Sequence, residues 1–277
     1  MAVSSADYPP DAVEAAKAVL VEMAHVLGEY RDDMVIVGGW VPLLLIPGRT
    51  DHVGSTDVDI AINHLAENDE VYARITKSLL ANGYRQDPKQ PFIWYKDVTL
   101  KGSAPVVVEV DFLSGEYGGT GRRHRTQKMQ DLRPRKARGA DLLFDETVER
   151  EVEGQLPSGA IDRVTVKVAG VVPYIVMKSA ALATRIKEKD AYDIWYTLAN
   201  YPGGNDAILV EFLPFADHGL VCEMISVLDS KFASPEHFGP DSVAVFLELS
   251  GEDAEVIKRD AFERVQALLR GLAGGGA

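Results

Sequence analysis

Two aspartates one residue apart open an apolar run in the stretch GSTDVDIAI, residues 54–62. In a strand, residues i and i+2 share a face, so Asp57 and Asp59 would point the same way, with Cα atoms about 6.6 Å apart. Carboxylates held side by side repel, which raises one pKa unless a cation relieves them. Hard divalent cations such as Mg2+ take carboxylate oxygens and, in pairs, serve phosphoryl transfer. Val58 and Ile60 would then face the core. A D-x-D spacing alone is weak evidence, and two solvent-facing acids at the start of a strand are the competing reading.

A third acid lies in VVVEVDFLSG, residues 106–115. Asp111 in so apolar a run needs a reason, because an unpaired buried charge is costly. One reason is an edge face open to solvent. The other is a neighbouring strand carrying Asp57 and Asp59, where Asp111 could bind a metal and accept the proton of an attacking hydroxyl. Glu109 has the same parity and competes for that role. Upstream, Gly38-Gly39 ends the apolar run MVIV and leads into WVPLLLI. Glycines let a backbone approach a ligand closely, and the N–H groups and dipole of a following helix suit a polyphosphate. Ser55 and Thr56 either bond a phosphate or fix the turn before the strand, and Arg49 is a further nucleotide-binding candidate. A G-x-x-x-x-G-K-[ST] loop is absent from the sequence, which excludes a P-loop NTPase.

The elements that must position these residues follow from periodicity. Residues 10–30 have helical spacing with Pro at the start. MVIV is a strand, WVPLLLI a short helix with Pro42 in its first turn, and TDVDIAIN a second strand. Residues 67–82 read as a helix closed by Gly83. FIWYKDV and VVVEVDFLSG are further β-branched and aromatic strands, with others near 147–153 and 164–170. From about Val172 the pattern is helical. YIVMKSAALATRIKEKDAYDIWYTLAN is a long helix with a break near Lys187–Lys189, residues 205–231 and 253–272 supply more helices, and the GLAGGGA end should be mobile. The expectation is an α/β fold: a mixed sheet with flanking helices over 1–170, then a mainly helical domain over 171–277.

The chain has 277 residues, 46% of them hydrophobic, enough for a sizeable core. Its opening lacks the pattern of a secretory signal, and no uncharged apolar run reaches a membrane-spanning length. A cytoplasmic protein is expected. The single Cys222, in GLVCEMI, reads as a buried structural thiol. The six histidines show no metal-ligand spacing, and His52 and His124 read as surface residues. Trp40, Trp94 and Trp195 read as core. The net charge of −13 argues against indiscriminate nucleic-acid binding. Residues 122–138, RRHRTQKMQDLRPRKAR, carry eight Arg/Lys against one Asp. This strip is either a solvated loop or a contact for a phosphate backbone or an acidic partner.

In order and context, Gly38-Gly39, Asp57-x-Asp59 and Asp111 resemble the polymerase-beta-type nucleotidyltransferases. The interposed PGRTDHVGS makes the gap from Gly39 to Asp57 longer than usual there. KSAALATRIKEKDAYDIWYTL resembles the second signature of the AbiEii-like nucleotidyltransferases, toxins of type IV toxin–antitoxin pairs. Its lysine, arginine and acid-x-x-acid pair correspond to Lys178, Arg185, Asp190 and Asp193. The resemblance covers roughly residues 33–200.

That resemblance implies an enzyme dependent on Mg2+ or Mn2+. Asp57, Asp59 and Asp111 would hold the metal and, with Lys178, form the catalytic set. Gly38, Gly39, Ser55, Thr56, Lys178, Arg185 and Asp190 would bind the nucleoside triphosphate. A nucleoside monophosphate would pass to an acceptor hydroxyl, on an RNA end and tRNA above all, with an antitoxin as protein partner. Two other readings stay open. An acidic chain suits a cationic small-molecule acceptor such as an aminoglycoside, and a longer loop before Ser55 could leave only a nucleotide- or partner-binding module.

Overall fold

The computed structural model describes residues 3–65, 69–102, 104–117, 124–127 and 132–274. Two compact units emerge: a sheet unit of Tyr8–Leu45 and Val53–Gly170, and a helical unit of Val171–Ala277 with Met1–Asp7 and Ile46–His52. The division at Gly170 therefore carries two exceptions to a simple split at 170. Both short segments, including part of the interposed PGRTDHVGS, pack with the helices.

In the sheet unit, helix α1 (Pro10–Val26) precedes strand β1 (Met34–Val37), the five-residue helix α2 (Val41–Leu45) and strand β2 (Asp57–Ile62). Helix α3 (Asp69–Ala81) and strands β3 (Arg85–Gln86) and β4 (Ile93–Val98) lead to β5 (Val106–Ser114). β6 (Arg135–Lys136), β7 (Thr147–Gln155) and β8 (Ile161–Ala169) complete one mixed sheet in the order β3-β4-β5-β2-β1-β8-β7, with β6 added beside β5. The mixed α/β reading of this half holds. β1, buried along its whole length, lies inside the sheet between β2 and β8, as a continuous apolar run should. β2 is antiparallel to β1 and parallel to β5. Parallel neighbours need a long crossover, which α3, β3 and β4 provide.

α1 buries Ala15, Ala16, Val19, Leu20 and Met23, a helical stripe, against the sheet. Where its C-terminal turn meets Ile36, Ile60, Val164 and Val166, an apolar cleft of about 200 Å3 opens. Ile60 alternates with Asp59, so this cleft and α1 lie on the face opposite the acids. It is not part of the carboxylate site.

The helical unit contains α4 (Val171–Thr184), α5 (Glu188–Asn200), α6 (Gly204–Phe212), α7 (Gly219–Lys231), α8 (Phe238–Phe246) and α9 (Gly251–Gly274). α5 is central, packing on α4, α6, α8 and α9, with Tyr192 and Phe246 ring centroids 4.5 Å apart. The expected break falls at residues 185–187, where Lys187 is extended. Two readings fail here, that of Cys222 as buried and that of residues 135–136 as loop. Cys222 is exposed, because Leu220, Val221, Met224 and Leu228 take the buried stripe of α7. The glycine-rich end is helical through Gly274, and 275–277 lie outside the described residues. Residues 122–123 and 128–131 of the basic strip are also outside them, while its Arg135 and Lys136 form a strand rather than a loop. Among the described residues no helix is long and apolar enough to cross a membrane.

Candidate functional site

The glycine corner is built around an acid. Gly38 follows β1 with φ +71°, a left-handed backbone that L side chains rarely adopt. A Cβ at Gly38 would also collide with the Asp59 carboxylate. Both facts require glycine. Val37 pairs with Asp59 across β1 and β2, so the corner sits beside that acid by register. Gly39 is buried in the 3-10 turn Gly38–Trp40. The next helix, α2, has only five residues, so the expected helix dipole is a small contribution and the corner offers little beyond backbone N–H groups. Trp40, buried, donates from Nε1 to the Asp57 carbonyl at 2.7 Å and fixes the entry of β2.

The acids share one face. β2 and β5 pair in parallel with Asp57 opposite Glu109 and Asp59 opposite Asp111. Residues directly opposite point to the same side of a sheet, so all four carboxylates do. Val58 and Ile60, buried, point to the other. Parity therefore does not choose between Glu109 and Asp111, but burial separates them: Asp111 is buried and Glu109 half-buried. Burial pushes the Asp111 carboxyl above its ordinary value, with Asp57 adding to the rise, and Arg135 only partly opposes it. Burial, then Asp111 and Asp57, push Glu109 up as well.

Asp57 and Asp111 are held separately. Ser55, buried, donates its hydroxyl to Asp57 Oδ1, which assigns it to the turn and the acid rather than to a free phosphate site. Thr56 is half-buried beside it. Arg135 Nη2 donates to Asp111 Oδ2 at 2.6 Å. Asp111 Oδ1 is buried with no hydrogen-bond partner. Asp57, Asp59 and Asp111 share one face and carry the oxygen donors that a hard divalent cation takes. Yet among the described residues no three His, Cys, Asp or Glu side chains are grouped so as to hold a metal ion. Arg135 was not singled out in the sequence. Its only sign there was membership of the basic strip.

Lys178, Arg185 and Asp190 belong to the helical unit, where they form a buried charge cluster. Lys178 Nζ lies 3.0 Å from Asp190 Oδ1 and 2.6 Å from Asp193 Oδ2. Lys189 donates to both Asp193 oxygens, at 2.8 and 3.0 Å. The chain break after α4 lets Arg185 turn back onto Asp190 with Nε at 2.8 Å and Nη2 at 3.0 Å. Burial would lower the Lys178 pKa, but Asp193 and Asp190 outweigh it and raise it. Burial would raise Asp193, yet Lys178 and Lys189 hold it far below the ordinary carboxylate range. Asp190 is depressed against burial by Lys178 and Arg185.

His52 was expected at the surface and is instead buried in this cluster, its Nε2 2.9 Å from Asp193 Oδ1. Burial lowers its pKa, so the ring is neutral near pH 7 and Nε2 carries the proton the carboxylate accepts. Its ring stacks on Tyr192 and meets Tyr196 edge-on. Tyr196 in turn donates to Asp51 at 2.7 Å. Arg49 is exposed and paired with Asp51 in the same segment. Residues 46–52 are thus bound into the helical unit by a histidine and an acid. No protein-family model matches the chain, and no curated protein matches it.

Proposed function

We propose that the sheet unit carries the chemistry of a divalent-cation-dependent nucleotidyltransferase. One observation carries this reading: the parallel register that sets Asp111 across from Asp59, with Asp57 on the same face and Gly38 closed against Asp59. Asp57 and Asp59, completed by Asp111, would hold Mg2+ or Mn2+, which would supply charge neutralisation on a nucleoside triphosphate. The Gly38-Gly39 corner, closed against Asp59, would present backbone N–H groups to the phosphates of the substrate. Ser55 fixes the Asp57 carboxylate, and Trp40 fixes its backbone. An acceptor hydroxyl attacks the α-phosphorus, the bond to the β-phosphate oxygen breaks and pyrophosphate leaves. The hydroxyl proton passes to a carboxylate of this face, Asp111 in our assignment.

For the acceptor we take an RNA end, tRNA first, and for the biological role a toxin relieved by an antitoxin. Support comes from the motif resemblance at Gly38-Gly39, Asp57, Asp59, Asp111, Lys178, Arg185, Asp190 and Asp193. A second reading, transfer to a cationic small molecule, draws on a specific feature. Charges of the basic strip are partly spent within the unit, Arg135 on Asp111 and Arg138 on Glu116, while the chain as a whole stands at −13. Incubation with each of four α-labelled nucleoside triphosphates, Mg2+, and either total tRNA or aminoglycosides distinguishes the two. Label on tRNA supports the first, label on the drug the second. Metal-dependent nucleotide binding without label on either leaves a binding module.

A further inference from the structure

The inference rests on the transfer reading above and concerns the regulation of the same site. β6 consists of two residues, paired with β5 at Leu113–Arg135 and Ser114–Lys136, and so brings Arg135 beside Asp111. The guanidinium makes one hydrogen bond to the carboxylate, at Oδ2. It also lies 5.7 Å from the Phe92 ring centroid, and Arg125 approaches the same ring at 5.2 Å. Arg135 is about one-third exposed, whereas the Asp111 side chain is nearly covered.

The guanidinium occupies Oδ2, and its positive charge repels a divalent cation approaching the remaining oxygen, Oδ1. We propose that Arg135 holds Asp111 out of the cation-binding set in the substrate-free protein, and that a substrate phosphate draws the guanidinium away. Three observations converge. The acids share a face, yet no three of them are grouped for a metal among the described residues. The oxygen that Arg135 leaves unused, Asp111 Oδ1, is buried and unbonded. Finally, Arg135 spends one donor on Asp111, although its planar fork suits two-point recognition of phosphate. The Phe92 face provides a platform on which a displaced guanidinium stays favourably placed. Asp111 then joins Asp57 and Asp59 only when a phosphorylated substrate is present. Arg135 is a positioning residue, acting through Asp111.

The test is Mn2+ binding to the full chain without nucleotide, read from the electron paramagnetic resonance of free Mn2+. Arg135→Gln should tighten Mn2+ binding about tenfold, since it removes one charge-assisted bond competing for Asp111. Arg135→Lys, which keeps the charge, should stay near the wild type, and the gain should vanish in Arg135→Gln combined with Asp111→Asn. A merely structural role for Arg135 would weaken binding instead. In the wild type, inorganic phosphate should also raise Mn2+ affinity beyond a protein-free blank, an effect absent from Arg135→Gln. This second measurement stands even if the glutamine variant proves unstable. Unchanged or weaker binding by folded Arg135→Gln, or no phosphate effect in the wild type, overturns the proposal. If Mn2+ binds and transfer proceeds with no such effects, only the latch falls. If no form binds Mn2+, the transfer reading falls with it.

Discussion

Asp111 stands directly across from Asp59 in the parallel pairing of β5 with β2, and its Oδ1 is buried without a hydrogen-bond partner. Two neighbouring strands therefore supply one acidic face. Removing a single charge with little change of shape tests what that face does. Asp57→Asn and Asp59→Asn should each lower nucleotide transfer on the order of 10³-fold, the loss of several kcal/mol of metal-derived stabilisation. Their melting temperatures should stay within a few degrees of the wild type, because the amide keeps the shape of the acid. The measurement pairs a labelled-nucleotide assay with thermal unfolding. Lost activity alongside a lost fold would remove its meaning.

Gly38 should resist substitution for two separable reasons, a left-handed backbone and the absence of room beside Asp59. Gly38→Ala is expected to cost about 1–3 kcal/mol from backbone strain, with the collision added. Gly28→Ala is the control: nothing lies within 4 Å of its added Cβ. It should stay within about 0.5 kcal/mol of the wild type. Urea unfolding of both variants decides the matter, and equal midpoints would contradict the assigned corner.

Legibility in the sequence followed range. The shared face of Asp57 and Asp59 comes from a period of two over three residues, and the interruption after Thr184 adjoins the break expected near Lys187–Lys189; both signals are local. His52 has no such signal. Its partner Asp193 is 141 positions away, and a histidine in a polar loop gives no sign of burial. Arg135 carries no local signal for a similar reason, since a two-residue strand has no periodicity and its tie to Asp111 is set by pairing with β5. The apolar neighbours of Cys222 in GLVCEMI do not reveal which helical face it takes, and that face is exposed. Allocation of residues 46–52 to the helical unit depends on Tyr196 and Asp193, which no reading of PGRTDHVGS supplies.

Asp193 binds two buried lysines, whereas Arg185 is half exposed at the edge of the same cluster. Truncating a buried partner leaves its counter-charges uncompensated, so Asp193→Ala should cost about 3–5 kcal/mol. Arg185→Ala should cost about 1 kcal/mol or less, solvent screening having weakened its pair. Denaturant titrations of the two variants measure the difference. Comparable losses would mean that the cluster does not divide into a buried centre and a solvated edge.

The same cluster predicts how stability varies with pH. His52 has a folded pKa below its ordinary 6.5, so the unfolded chain binds its proton more readily. Its contribution is complete above about pH 6.5 and declines as pH falls through the depressed folded value. Asp190 and Asp193 are likewise depressed from 3.8, so their contribution is present above about pH 4 and is lost on further acidification. Lys178 is raised above 10.5, and its contribution is complete below that value and lost as pH climbs beyond it. Unfolding free energy should therefore begin to drop below about pH 6.5, fall more steeply below about 4, and drop again in strong alkali. His52→Gln removes the titrating ring. The decline between about pH 6.5 and 4 should shrink in that variant, while the steeper acid limb of the two aspartates persists. Urea unfolding across the pH range provides the measurement, and an unchanged upper decline in His52→Gln would assign it to other groups.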